Sequence, residues 1–254
     1  MQAAETTHTF AFYTEVVRSL VRESRTDFYQ LTDPELVYRM ISILRLEKGD
    51  RIVLFDNYHH VKAIIRGVDG KKSMGIEIHE ISPNKQLTPS IEWVLPLLKR
   101  EAFEEALYTL TELGAQSIQP VLTHKTIRFF GGERETMRCQ KILKAAAEQA
   151  KQYVLPHLHP IIPFEMWLAK EQPASVAKIF FDPTGLPLSE VIALVERQKH
   201  QHIIACAGPE GDLTPDEKMM LDDRGFVRCA LTPTVLRAQQ AVAVGLGALR
   251  SLLR

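Results

Sequence analysis

"GPEGDLTPDE" (residues 208–217) stands between the apolar run "HIIACA" (residues 202–207) and a charged helical pattern. Thr214, Pro215 and Glu217 make a capping box. The threonine oxygen can accept from the third helical amide, the glutamate can reach back to the cap amide, and proline suits the first helical position because an amide there has no intrahelical partner. The helix therefore starts after the glycines, and residues 208–212 form a loop at the carboxyl end of a buried strand. Glycine in such a loop lets backbone amides come close to a bound group. A plain strand-to-helix connection also uses glycine, so both readings stand on this stretch alone.

Outward from this loop the chain alternates. Strand patterns "IEWVLPLL", "SIQPVLT", "AKIFFDP", "HIIACAG" and "FVRCALT" are separated by helical patterns beginning near Glu101, Glu133, Leu188 and Thr214, with a last helix near Arg237. This rhythm predicts an α/β domain with a parallel sheet covered by helices on both faces, in which ligands sit beyond the carboxyl ends of the strands. A second loop, "LTPTVLRAQQA" (residues 231–241), leads into "AVAVGLGALRSLL", so apolar all round that it predicts a buried helix. Arg237 stands at the threshold of that helix. It either pairs with a carboxylate, Glu210 being the nearest in role, or offers its fork of donors to a ligand.

Residues 1–82 read differently. "HTFAFY", "DRIVLFD", "HHVKAIIRGV" and "MGIEIHEI" are short strand patterns, interrupted by one helix that Asp33 caps, Pro34 opens and Gly49 stops, with Leu36, Val37, Met40, Ile41 and Leu44 at helical spacing. The expectation is a small β-barrel. "SPNKQLTPS" (residues 82–90) has linker composition, which divides the chain into domains at 1–82 and 83–254.

Composition excludes several classes. The 254 residues carry 31 Lys plus Arg against 31 Asp plus Glu, so no global charge points to nucleic acid or membrane, and any basic patch must be local. Cys139, Cys206 and Cys229 form no CxxC pair, which fits reduced packing residues. No export segment and no long apolar span is legible, so the expectation is a cytoplasmic protein without membrane contact. His59, His60, His157 and His159 lack a third ligand nearby, and no metal is expected. "GVDGKKS" lacks phosphate-loop spacing and reads as a hairpin turn. Trp93 and Trp167 read as packing residues. Lys125, Arg128, Arg134, Arg138, Lys141 and Lys144 face only Glu133 and Glu135; Arg134, Arg138 and Lys141 share a helical face, either solvated or turned to RNA.

The paired loops "GPEG" and "LTPTVLRAQQA", with "MISILRLEKGDRIVLFD" at the front and "TELGAQSIQPVLT" and "AAAEQAKQYVLP" in the middle, resemble the RsmE family of SPOUT methyltransferases, which methylates uracil N3 in small-subunit (16S) ribosomal RNA. The resemblance implies an amino-terminal PUA-like β-barrel that positions RNA and a carboxyl-terminal trefoil-knotted α/β domain. It also implies a homodimer, ribosomal RNA as partner, and S-adenosylmethionine bound by Gly208, Pro209, Glu210 and Gly211 on one side and Leu231, Thr232, Pro233, Leu236 and Arg237 on the other. Pro183 falls on a third loop. Arg237 and Glu210 are the catalytic candidates, the first to hold charge on the uracil oxygens and the second to orient a ligand or take a proton, which requires burial. The sequence departs from the family pattern at Asp212 and Thr232, where glycine is usual, and at Ala238, Gln239 and Gln240, which replace Thr-Glu-Thr. Gln152, Val154 and Thr109 replace basic residues. A relative that binds RNA or cofactor without transfer, or one that methylates another nucleotide, is the alternative.

Overall fold

In the computed structural model, residues 9–23, 27–70, 72–127, 132–171 and 175–253 are described. Arg128 of the basic stretch, Lys71 of the hairpin turn and His8 of the first strand pattern lie outside them. The chain divides into two compact units, Met1–Lys85 with Ala147–Val154, and Gln86–Ala146 with Leu155–Arg254.

The first unit is built on a five-stranded sheet in the order β1-β3-β4-β5-β2, from β1 (Phe10–Tyr13), β2 (Phe28–Leu31), β3 (Arg51–Phe55), β4 (His59–Asp69) and β5 (Ser73–Pro83). β1 runs parallel to β3 and the other pairs are antiparallel. Among the described residues, β1 and β2 end the ladder without pairing to each other. Two helices pack on the sheet rather than the single one expected: α1 (Val16–Arg22) and α2 (Pro34–Tyr38), which continues as one π-type turn over Arg39–Ile43. Asp33 caps α2 through Oδ1, which accepts from the amides of Glu35 and Leu36 at 3.0 and 3.1 Å. The expected stop at Gly49 is corrected. The wider turn ends the helical segment at Ile43, and Arg45 already lies in the left-handed region at φ 56°. Leu36, Val37 and Met40 are buried beside Phe12, Leu20, Ile52 and Ile65, while Ile41 and Leu44 are partly buried.

Sequence pattern gave no hint that Ala147–Val154 belongs to this unit. Glu148 explains it: one carboxylate accepts the Tyr13 amide at 2.9 Å and both terminal nitrogens of Arg39 at 3.3 and 2.6 Å. The Tyr153 ring packs on Phe55 and His60, at 5.1 and 4.8 Å between centroids, and its carbonyl accepts from Asn84 Nδ2. His60 also bonds Asn84 Oδ1 at 2.9 Å, a packing role.

The second unit holds β6 (Ser90–Pro96), α3 (Arg100–Glu112), β7 (Ser117–Leu122), α4 (Gly132–Ala150, whose last residues count with the first unit), β8 (His157–Leu158), β9 (Ile162–Pro163), α5 (Phe164–Leu168), β10 (Val176–Pro187), α6 (Leu188–Gln198), β11 (His202–Ala207), α7 (Pro215–Asp223), β12 (Val227–Ala230) and α8 (Ala238–Leu252). The sheet order is β12-β10-β11-β6-β7-β8, β9 also pairs with β7, and every pair is parallel. The strands and helices expected from alternation all form. The two-residue strands β8 and β9 and the short α5 carry too little pattern to be read beforehand.

Successive side chains on a strand face opposite ways. Val94 and Phe180 accordingly join Phe164, Trp167 and Leu221 of α5 and α7 in one buried cluster, and Trp93 and Phe181 stack with each other at 5.7 Å on the opposite face, against α8. Gly245 makes that second contact possible: a Cβ there would lie 2.7 Å from Phe181 and 3.0 Å from Trp93. The expectation that α8 is buried all round is corrected. Val242, Gly245, Leu246 and Leu249 are buried, but Val244 and Leu252 are exposed beside Gln240 and Ser251, so part of its apolar surface is uncovered in the single chain. Trp93 and Trp167 are packing residues, and all three cysteines are buried and form no disulfide.

Gly245→Ala forces the Trp93–Phe181 stack apart and should destabilise the protein by about 1–3 kcal/mol, the range for overpacking a filled core. Urea unfolding followed by tryptophan fluorescence measures it.

Candidate ligand site

The site begins with a break in register. Phe181 and Leu186 of β10 both stand opposite Cys229 of β12, so residues 182–185 leave the sheet as a bulge. Gly185 permits this, because a Cβ there would lie 2.3 Å from backbone atoms of Arg228 and Cys229. The bulge carries the "DPTG" sequence to the same end of the sheet as the loops after β11 and β12.

The loop after β11 is fixed from three directions. Thr214 and Glu217 form the expected capping box, with Thr214 donating its amide to Glu217 Oε2 at 2.8 Å and Glu217 donating its own to Thr214 Oγ1 at 3.2 Å. Glu217 does more than cap: it is buried, and Oε1 accepts the His124 amide at 2.8 Å, tying the segment after β7 to the start of α7. Lys125 Nζ donates to the Gly211 carbonyl at 2.7 Å. Glu210 Oε1 accepts the Lys99 amide at 3.0 Å, at the cap of α3.

Neither Gly208 nor Gly211 needs positive φ; the left-handed residue of the loop is Asp212, at φ 58°. Glycine is the residue that takes this conformation freely, and Asp tolerates it better than most. The departure from the family pattern therefore falls on the one position of the loop where backbone conformation asks for glycine. At Gly208 space is tight instead: a Cβ there would meet Asp212 Oδ1 at 3.1 Å.

These loops enclose a pocket of about 760 Å³ at the carboxyl ends of β10, β11 and β12. Of the residues singled out in the sequence, Gly208, Pro209, Glu210, Leu231, Thr232, Leu236, Arg237 and Pro183 line it. Gly211 and Pro233 do not. Gly211 faces the Lys125 side chain and buttresses the loop from behind. Thr232 turns its hydroxyl onto its own loop, donating to the Thr234 carbonyl at 2.7 Å, and the pocket stays open beside it. Arg237 caps α8 and is exposed; its carbonyl accepts the Ala241 amide at 2.9 Å, but its guanidinium forms no hydrogen bond or ion pair with any described residue, so pairing with Glu210 is excluded in this state. Glu210 is exposed too; the burial that proton abstraction requires of it is absent.

Sequence reasoning missed Glu101 and Glu105, which α3 brings to the pocket, together with Phe181 and Asp182. Only the "FFDP" turn carried any signal, and it pointed to the proline. Asp182 is almost fully buried. Its Oδ1 accepts the Thr184 amide and hydroxyl at 2.8 and 2.6 Å, and its Oδ2 accepts Lys218 Nζ at 2.8 Å. Burial alone would raise its pKa, but the hydrogen bonds from Lys218 and Thr184 prevail and hold the carboxyl below its ordinary value.

The basic helix face is partly spent within the fold. Arg138 donates to both carboxylate oxygens of Glu104, at 2.5 and 2.6 Å, and this bond chiefly holds the Glu104 carboxyl down at about 2. Arg134 and Lys141 are exposed on α4. His157 and His159 meet edge-on at 4.4 Å, but no group of three or more His, Cys, Asp or Glu among the described residues is arranged to hold a metal ion. No helix among them is long and apolar enough to cross a membrane.

A parallel α/β unit with a loop-walled cleft beyond its strand ends defines a class of small-ligand-binding domains. Residues 85–250 match the model of the RNA methyltransferase domain family, and the chain belongs to that family. Ribosomal RNA small subunit methyltransferase E of Synechocystis sp. is 28% identical over 225 residues, covering 88% of this chain and 73% of that protein. Its namesake in Mycobacterium bovis is 24% identical over 223 residues, covering 86% and 84%. The fold is shared with the crystal structure of ribosomal RNA small subunit methyltransferase E from Neisseria gonorrhoeae bound to S-adenosyl methionine, at TM-score 0.81 and 23% identity over 96% of this chain and 98% of that one. It is also shared with the methyltransferase Lpg2936 of Legionella pneumophila in complex with SAM, at TM-score 0.75 and 20% identity over 96% of each chain.

Glu104 titrates lower in the folded chain than its ordinary value of 4.5, so its pairing with Arg138 stabilises the fold above that value and ceases to as pH falls towards about 2. Glu104→Gln should lower the melting temperature near neutral pH, and the gap to wild type should close as pH falls through this window. Melting curves across the acid range check it.

Proposed function

We propose that the protein transfers a methyl group from S-adenosylmethionine to uracil N3 of small-subunit ribosomal RNA. The observation that carries this reading is the pocket of about 760 Å³ whose walls are the Gly208–Pro209–Glu210 turn and the Leu231–Arg237 loop, remote in sequence and joined at one end of the sheet. Its volume falls within the range of small-molecule sites. The small and apolar part of the lining, Gly208, Ala207, Leu231 and Leu236 among it, suits an adenosyl moiety, the carboxylates of Glu101 and Glu105 can meet its polar and cationic groups, and Arg237 leaves a cation in the lining. The names of the relatives support the substrate.

Gly208, Pro209 and Glu210 form one wall of the cofactor site, with Gly211 behind them, and Leu231, Thr232 and Leu236 form the other, with Pro233 in that loop but outside the pocket lining. The bound cofactor supplies an activated methyl on a sulfonium, so transfer needs alignment more than covalent assistance from the protein. Uracil N3 must lose a proton as it is methylated. Arg237, whose guanidinium has no partner among the described residues, holds the developing charge on the uracil oxygens with its fork of donors. Glu210 anchors the loop through the Lys99 amide, and the proton passes to water rather than to this exposed carboxylate.

The first unit positions RNA as a PUA-like barrel, and the second forms the trefoil-knotted transferase domain, which works as a homodimer in the cytoplasm. The uncovered apolar part of α8, with Val244 and Leu252 exposed, supports a second copy as its cover. A second reading, binding without transfer, draws on the missing carboxylate partner of Arg237, where Gln239 replaces the family's glutamate.

Arg237→Ala should reduce methyl transfer by about 10²–10³-fold, the range for removing one charge-stabilising donor, with melting temperature unchanged. Ribosomal RNA from a deletion strain should lack one methyl on a small-subunit uracil by mass spectrometry. Normal turnover of the variant would refute the role of Arg237, and unaltered RNA the substrate.

A further inference from the structure

Lys218 links two pocket walls. Its Nζ donates to Asp182 Oδ2 at 2.8 Å, on the bulge of β10, and to Asp212 Oδ2 at 2.7 Å, on the loop after β11. Both aspartates line the pocket and Lys218 does not, so the ammonium sits behind the cleft as a strut between them. One end of the strut is desolvated, the Asp182 and Lys218 side chains being 1% and 18% exposed, and the other opens to solvent through Asp212, 60% exposed.

The geometry leaves Asp212 little freedom. Oδ1 accepts the Leu213 amide at 2.8 Å, Oδ2 takes the lysine, and the Asp212 amide closes a turn on the Pro209 carbonyl at 2.9 Å. Stability alone does not account for it. A side chain at φ 58° is strained relative to glycine, and an ion pair with so exposed a partner returns little. What Asp212 adds is a fixed distance between two loops that share no other side-chain hydrogen bond or ion pair among the described residues.

We propose that Asp212, acting through Lys218 and Asp182, is a positioning residue that sets the gap between the residue 182–185 and residue 208–212 walls, and with it the affinity for the adenosyl ligand. The inference rests on the function proposed above as far as the ligand is concerned; the strut itself does not.

The test uses S-adenosylhomocysteine, which binds without transfer, titrated calorimetrically into wild type, Asp212→Gly, Lys218→Met, the double variant and Lys218→Arg. Amide exchange is followed in the ligand-free proteins. Asp212→Gly suits the backbone and keeps the buried Asp182–Lys218 pair, so it folds even if Lys218→Met does not. It should weaken binding about tenfold, the scale of a coupling lost between packed elements. The double variant should be no weaker than the worse single one, and Lys218→Arg should stay near wild type. In Asp212→Gly, exchange should rise in residues 182–185 as well as in 208–212, although only the second segment is altered. Unchanged affinity, additive losses, or exchange rising only around residue 212 would overturn the inference and leave the proposed function standing. Failure of wild type to bind S-adenosylhomocysteine would overturn the proposed function, and the strut would then stand or fall on the exchange result alone.

Discussion

The pocket depends on one strand being allowed to slip past its neighbour. β10 pairs with β12 on both sides of a four-residue excursion, and the return of the ladder opposite Cys229 requires backbone contact so close that only hydrogen fits at Gly185. A side chain there would push β12 away and move the loop that carries Arg237. The excursion also brings Asp182 out of the sheet and into a buried position, where a charge is tolerated because three donors meet it.

From that bulge the remaining constraints follow in series. Asp182 holds Lys218, which fixes α7 relative to β10; α7 begins at the Thr214–Glu217 box, and Glu217 reaches the His124 amide on the segment after β7. Thus strands β7, β10 and β11, separated in sequence, share one polar frame beneath the pocket. Its members are charged or capping groups with both partners satisfied, and low solvent access makes each bond costly to leave unmade. The walls above it mix turns and small or apolar residues with charged side chains such as Glu101, Glu105, Glu210 and Arg237.

Arg237 is the exception to this economy of pairing. Elsewhere the arginines at structural positions are engaged, Arg39 with Glu148, Arg138 with Glu104, Arg228 with Asp222 and Arg250 with the carbonyls of Pro89 and Gly114. A guanidinium left without a partner among the described residues, in the lining of a cleft, is available for an anionic or charge-developing group. The replacement of Glu by Gln239 in the family pattern is consistent with that freedom.

Local chemistry by itself determined much of this protein. The Thr214–Pro215–Glu217 box, the Asp33 cap, the alternation of buried strands with helices and the loop identities at residues 208–212 and 231–237 are written in short windows, because capping and periodicity act over a few residues. What no window contains is the encounter of distant groups. Glu148 joining the first unit, Lys218 bridging Asp182 and Asp212, Glu105 reaching the pocket from α3, and α8 leaving part of its apolar surface uncovered all arise from sheet order, which sets which segments meet. The same limit explains Glu210: its place in the resembled motif suggested orienting a ligand or taking a proton, whereas its exposure and its bond to the Lys99 amide are tertiary facts.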